Sequence, residues 1–157
     1  AFRRFLDEGR GWVEDHINAC GQLAKCHLAL NQPEQAFEAL VKSFRFDTPR
    51  GEICCQLGYF FKAQQKYAEA AFWFSLVLAL KKPAHAWGFM QPADWDYVPC
   101  MECAVCYDKL GEIEKAAAYN QLASIFRPDC PRVLHNQHYF ARRKKERAEK
   151  ERLEEGE

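Results

Sequence analysis

The feature that most constrains this chain is a pattern of apolar residues that repeats every 34 positions. Leu23 and Leu57 are 34 residues apart, as are Ala36 and Ala70. Within each unit the apolar residues recur at helical spacing and short turns interrupt them, whereas strand-like alternation is nearly absent. One such unit cannot bury its hydrophobic face alone, so neighbouring units must stack. The sequence therefore predicts an all-α chain of stacked helical hairpins.

A third copy begins near Tyr97, twelve residues later than the period requires. Small residues at fixed positions of a 34-residue period are typical of the tetratricopeptide repeat (TPR), which the chain resembles over residues 17–130. The third copy matches most clearly, and the first departs most, with Asn31 in the place of the turn glycine. The resemblance implies a right-handed superhelical solenoid of three TPR hairpins plus a C-terminal capping helix.

The repeats divide the chain into predicted regions. Residues 1–16 form an N-terminal helix or linker, and the three repeats span 17–50, 51–84 and 97–130. An aromatic-rich insert occupies 85–96, and a capping helix with a charged tail occupies 131–157. Thr48 and Pro49 have the residue types of an N-cap and a first helical position, so they predict where the third helix begins.

Charge and hydropathy exclude two classes of partner. The 157 residues carry 22 basic and 22 acidic side chains, and this zero net charge argues against binding nucleic acid by neutralising phosphates. No apolar run approaches the roughly 20 residues of a membrane span, so no membrane partner is expected.

The eight cysteines allow two interpretations. Cys100, Cys103 and Cys106, with Cys130 before a proline, have a spacing found in iron–sulfur proteins. The first three, however, lie in a predicted helix, and Cys is among the most readily buried side chains. Four cysteines are predicted to fill repeat core positions: Cys20, Cys54, Cys100 and Cys103. We therefore predict no metal and no cofactor, and reduced thiols indicate a cytoplasmic protein.

No motif indicates catalysis by this chain. Asp94-Trp95-Asp96 has the form of the metal-binding string of sugar-nucleotide transferases, but no strand precedes it, and either Asp could cap the helix that starts near Tyr97. There is no Gly-rich phosphate loop and no nucleophile–base constellation. The chain is predicted not to be an enzyme.

The insert holds more large apolar groups than a solvated loop would. Its candidates for a binding role are Trp87, Phe89 and Trp95. They either pack on the neighbouring helices or wait for a ligand, since monomers rarely expose large apolar patches.

In TPR geometry the first helix of each hairpin lines a concave groove. The residues predicted to face it are Asn18, Gln22, Lys25, Glu52, Gln56, Tyr59, Lys62, Met101, Glu102, Val105 and Asp108. The mixed lining lacks a clustered basic clamp for a peptide carboxylate. A protein or an extended peptide is the expected ligand, without an inferred sequence.

A narrower resemblance covers most of the chain. The strings Thr48–Gly58, Ala71–Phe74, Leu80–Pro83, Trp87–Phe89 and Cys106–Gly111 look like the repeat region that follows the catalytic domain of bacterial family 2 glycosyltransferases. This resemblance implies an accessory, non-catalytic domain for self-association or for holding an acceptor. The alternatives are a stand-alone TPR chaperone and an iron–sulfur protein.

Overall fold

The structure, a computed structural model, describes residues 1–9, 11–82 and 91–154, so Trp87 and Phe89 lie outside the described residues. Within those ranges the chain is helical and has no strand. The helices are α1 (Phe2–Glu8), α2 (Val13–Ala29), α3 (Pro33–Lys42), α4 (Gly51–Ala63), α5 (Tyr67–Ala79), α6 (Tyr97–Lys109), α7 (Ile113–Phe126) and α8 (Pro131–Glu154). None of them combines the length and the apolar character needed to cross a membrane.

Three helix pairs form hairpins: α2 with α3, α4 with α5, and α6 with α7. We call the first helix of each pair the A helix and the second the B helix. The turns between them are built alike, because each contains one residue with a left-handed backbone: Asn31, Gln65 and Gly111. In each turn the next backbone N–H reaches back to a carbonyl five residues earlier, which satisfies the end of the A helix.

Close approach within a hairpin depends on small residues. In the second hairpin, a Cβ atom at Gly58 would lie 2.7 Å from the Phe74 ring, so only glycine allows this ring to pack against α4. In the first hairpin, Ala24 and Ala36 are fully buried at the same seam. The hydrophobic core therefore runs along the stacked hairpins rather than forming one central ball.

The predicted core cysteines are confirmed. Cys20, Cys54, Cys100 and Cys103 have no exposed surface. Burial raises the pKa of the Cys54 thiol to about 12 and that of Cys100 to about 11, so these side chains act as small neutral hydrophobes. Their thiols need no metal or disulfide to explain their position.

The expected start of the third helix is wrong by two residues. Helix α4 begins at Gly51, and its N-cap is Arg50, which has an extended backbone. The Arg50 guanidinium forms ion pairs with Glu14 of α2 at 2.6 Å and with Asp47 at 2.7 Å. These contacts tie the linker to the first hairpin, so Thr48 and Pro49 stay outside the helix.

The two ends of the solenoid are covered by single helices. Helix α1 packs on α2, and α8 packs on α7. Helix α8 contributes Val133 and Phe140 to the buried core, while its later turns carry ion pairs such as that between Arg147 and Glu151. A polar terminal helix of this kind shields the last hairpin from water.

Candidate functional site

The candidate site is the side of the solenoid formed by the A helices. Helix α2 contacts α4, and α4 contacts α6, so the residues predicted to face the groove lie on neighbouring helices. At the first seam Gly21 of α2 lets the Gln56 side chain approach closely: its Nε2 would be 3.0 Å from an added Cβ.

The polar residues on α2 remain accessible. Asn18 and Gln22 are half-buried and are joined by a 3.4 Å hydrogen bond, which the Gln22 amide donates. Lys25, one turn further along, is exposed. This part of the predicted lining is available to a partner.

The seam between α4 and α6 is closed by a charged group. Glu102 of α6 is only 7% exposed and forms an ion pair with Lys62 of α4. The Tyr59 hydroxyl donates to the same carboxylate at 3.4 Å, while 44% of the Tyr59 surface stays exposed. Burial, and then the negative charge of Glu102, raise the pKa of this hydroxyl, so Tyr59 stays neutral. Tyr59 is therefore a hydrogen-bonded aromatic group that stays partly exposed.

The prediction that Met101 faces an open groove is wrong. Met101 is 1% exposed and packs with Ala123 of α7 and Val133 of α8. Asp108, further along α6, is half-buried and accepts a hydrogen bond from the Tyr139 hydroxyl of α8 at 3.1 Å. Because α8 lies beside α6, these residues form a helix seam. Val105, between them, is partly exposed.

Part of the insert lies on α4. Residues Pro92–Trp95 form a short 3-10 turn that contacts α4 as well as α6. Oε1 of Glu52 accepts two hydrogen bonds from this segment, at 3.1 Å from the Gln91 backbone N–H and at 2.8 Å from the Trp95 indole N–H. Glu52, predicted to face a ligand, is therefore bound by the chain itself.

The Trp95 ring fills a pocket at the beginning of α4. Trp95 is 4% exposed, and a Cβ atom at Gly51 would lie 2.7 Å from its ring. Cys55, one turn later, is buried, and its thiol donates to the Asp94 carbonyl at 3.4 Å. Of the two interpretations of the aromatic insert, Trp95 follows the self-packing one.

The pKa of the Asp94 carboxylate reflects its position between α2 and α4. Burial raises its pKa, the negative charge of Glu52 raises it further, and Lys25 of α2 opposes the shift. Its charge also acts on the Tyr59 hydroxyl. Asp94 therefore lies within electrostatic reach of side chains on both α2 and α4.

The cysteines of the candidate metal motif are all engaged in packing or hydrogen bonding. Cys100 belongs to the cluster with Tyr97 and Met101, whereas Cys103 and Cys106 belong to the cluster against α5. Cys130 packs against the cluster of Cys100, and its thiol lies 3.1 Å from the Tyr97 hydroxyl. The described residues include no group of three His, Cys, Asp or Glu side chains that could hold a metal.

The Asp-Trp-Asp string is explained by helix capping. Asp96 is the N-cap of α6, and its carboxylate accepts from the Tyr97 backbone N–H at 2.5 Å. A carboxylate at this position also interacts favourably with the helix dipole. The cap interpretation of this aspartate is confirmed.

Sequence comparisons found no matching protein-family model and no matching curated protein. Solved structures do match. The crystal structure of MamA has a TM-score of 0.69 at 19% identity, with 92% of this chain and 75% of MamA covered. The N-terminal domain of stress-induced protein-1 (STI-1) from C. elegans has a TM-score of 0.68 at 12% identity, covering 84% of this chain and 99% of that domain. A second MamA structure (AMB-1) has a TM-score of 0.64 at 16% identity, with coverages of 85% and 66%.

These neighbours are helical repeat proteins of the tetratricopeptide type. At such low identity the similarity concerns the fold alone. It agrees with the 34-residue period, the three hairpins and the terminal helix. The chain therefore has the fold of a tetratricopeptide-type helical solenoid.

Proposed function

We propose that this chain is a non-catalytic protein-interaction scaffold that binds an extended segment of a partner across the A helices. One observation carries the proposal: Lys25 and Tyr59, at equivalent positions of successive A helices, both reach solvent. Tyr59 is also held in place by Glu102. A fixed aromatic side chain with little rotamer freedom to lose is a common energetic centre of protein interfaces.

Selection from a displayed peptide library tests this function. We expect selected peptides to bind the wild-type chain and to lose at least about tenfold in affinity with Tyr59→Ala, as truncation of a central tyrosine does at interfaces. Phe72→Ala is the matched control, because Phe72 is 58% exposed but lies on the B helix α5. Selected peptides that depend on Phe72 and not on Tyr59 would show that the A-helix side is not the binding surface.

The finer role of an accessory region in a bacterial family 2 glycosyltransferase, for oligomerisation or for holding an acceptor, is part of this proposal. It is supported by the sequence strings around Thr48–Gly58 and Cys106–Gly111. A transferase domain encoded in frame upstream of Ala1 would support it, and a start codon directly before Ala1 would favour the stand-alone chaperone. The iron–sulfur alternative lacks the support of a ligand group, since no three His, Cys, Asp or Glu side chains of the described residues are placed to hold a metal.

The remaining expectations belong to the same proposal. Self-association, a cytoplasmic location and the division into regions 1–16, 17–130 and 131–157 all stay predictions. The location is supported by the eight free thiols of the chain, six of which are buried.

A further inference from the structure

We propose that the pocket formed by Gly51, Glu52 and Cys55 recognises tryptophan, and that the partner enters it with a tryptophan-bearing extended segment in place of the chain's own Gln91–Trp95. The inference rests on the proposed function and names the class of partner. From here on we call these three residues the Trp pocket.

The shape of the Trp pocket depends on the absence of a side chain. Gly51 is the first residue of α4, and an added Cβ would lie 2.7 and 2.8 Å from two ring atoms of Trp95 and 3.1 Å from the Asp94 carbonyl oxygen. An indole ring can therefore lie directly against the backbone. Any larger residue at position 51 would fill the space that the ring needs.

The polar contacts of the Trp pocket distinguish an indole from other rings. Glu52 accepts the indole N–H at 2.8 Å, a hydrogen bond that a phenylalanine could not donate. The two other polar contacts, from the Gln91 N–H to Glu52 and from the Cys55 thiol to the Asp94 carbonyl, involve only the segment's backbone. Backbone contacts of this kind are compatible with an extended chain of almost any sequence, so the specificity of the pocket comes from the indole ring.

The chain's own segment is an imperfect occupant. Its Asp94 carboxylate lies in a partly buried place near the negative charge of Glu52, and both effects raise the pKa of Asp94. Lys25 offsets this only in part. A partner segment with a neutral residue before its tryptophan would avoid this repulsion and could compete with the internal segment.

A binding experiment with defined peptides tests the pocket. The probes are the capped peptides Gln-Pro-Ala-Asp-Trp and Gln-Pro-Ala-Asn-Trp, titrated into ¹⁵N-labelled protein. The Trp95→Ala variant empties the pocket, and circular dichroism checks that it folds. We expect both peptides to shift the amide signals of Glu52 and Cys55 in this variant, the Asn peptide binding more tightly. Binding to the wild type should be at least about tenfold weaker, because the internal segment competes.

The double variant Gly51→Ala/Trp95→Ala is the matched control, because the added methyl group lies too close to the position that an indole ring takes. Peptides should not bind it, and a peptide with alanine in place of tryptophan should bind none of the proteins. Equal binding to Trp95→Ala and to the double variant would overturn the proposal, as would no binding to a folded Trp95→Ala protein.

A second measurement applies if Trp95→Ala does not fold. In the chain with Trp95 intact, Gly51→Ala should displace the segment and expose the Cys55 thiol to an alkylating reagent, read by mass spectrometry. Gly21→Ala, another glycine on an A helix, should leave Cys55 protected. Unchanged protection in Gly51→Ala would show that the segment does not depend on this pocket.

The two proposals fail in different ways. If library peptides lose affinity with Tyr59→Ala but bind Gly51→Ala normally, the scaffold function is supported and the proposal of a Trp pocket is contradicted. Tryptophan peptides that bind Trp95→Ala, together with selected peptides unaffected by Tyr59→Ala, would keep the pocket and move the interface away from Tyr59.

Discussion

Two aromatic rings pack against two glycines of helix α4, and the two rings come from different kinds of structural element. Gly58 accepts Phe74, and Gly51 accepts Trp95, with the closest distance to an added Cβ being 2.7 Å in both cases. Phe74 lies in the 13-residue helix α5, whereas Trp95 ends a four-residue turn. The same close approach therefore holds a hairpin ring at Gly58 and, two turns earlier on the same side of α4, the ring of a segment that we propose is displaceable.

The largest expected effect is that of Gly58→Ala. Phe74 is fully buried, so its ring cannot move away from the new methyl group. We expect a loss of about 1–3 kcal/mol in the free energy of unfolding, typical of an overpacked core and measured by urea denaturation. Gly51→Ala should cost less, because the Trp95 segment can leave. Equal losses in the free energy of unfolding would contradict the view that Trp95 is displaceable and Phe74 is not.

An intermediate effect concerns alkaline pH. The buried Cys54 thiol has its pKa raised to about 12, whereas an unfolded thiol ionises near pH 9. Above pH 9 the unfolded chain therefore holds fewer protons than the folded one. The free energy of unfolding keeps the full contribution of this thiol below pH 9 and loses it as the pH rises. Cys54 alone should contribute a loss of about 1.4 kcal/mol per pH unit. Urea denaturation at pH 8, 9 and 10 should show a shallower loss for Cys54→Ala.

The same measurement compares two adjacent buried cysteines of α4. Cys55 lies under the Trp95 segment, and burial raises the pKa of its thiol as well. If the segment opens readily, Cys55→Ala should change the pH dependence less than Cys54→Ala does. The exposed Cys26 provides the control, since Cys26→Ala should leave the pH dependence unaltered. An identical pH dependence in the wild type and in Cys54→Ala would contradict the burial argument.

The smallest effect is expected for Gly21→Ala. The nearest atom to an added Cβ is Nε2 of Gln56 at 3.0 Å, the far end of a flexible side chain. Replacing a glycine inside a helix also favours the folded state by up to about 1 kcal/mol. Stability should stay level or rise by that amount in the same urea assay. A loss like that of Gly58→Ala would mean that Gln56 is held as firmly as Phe74.

The fold could be predicted because the repeat period expresses packing directly. Small residues such as Ala24, Gly58 and Ala104 recur where helices meet, and cysteines fill core positions that the period marks. Helix boundaries were harder. Thr48 and Pro49 have the residue types of a helix start, but the ion pairs of Arg50 with the distant Glu14 and the nearby Asp47 outweigh that local preference.

The candidate site was only partly predictable, because position in a repeat indicates a face but not what covers it. Lys25 and Tyr59 are accessible to solvent, and their role in binding stays a prediction. Met101 is buried because α8 lies beside α6. The Glu52 carboxylate already accepts a hydrogen bond from Trp95, because the insert folds back onto α4. The sequence signal that could have shown the pocket is the glycine at the first position of α4, taken together with a tryptophan near the end of the insert.

The two hydrogen bonds at Glu52 have a mechanical consequence. Elsewhere each helix packs mainly on its neighbours in the chain, so a solenoid of this kind can bend at any junction between hairpins. The bonds from Gln91 and Trp95 span 39 and 43 residues and tie the start of α4 to the entry of α6. Together with the contacts of Glu102 to Lys62 and Tyr59 they brace that junction, so an event that removes Trp95 from its pocket would leave the middle of the superhelix with fewer ties.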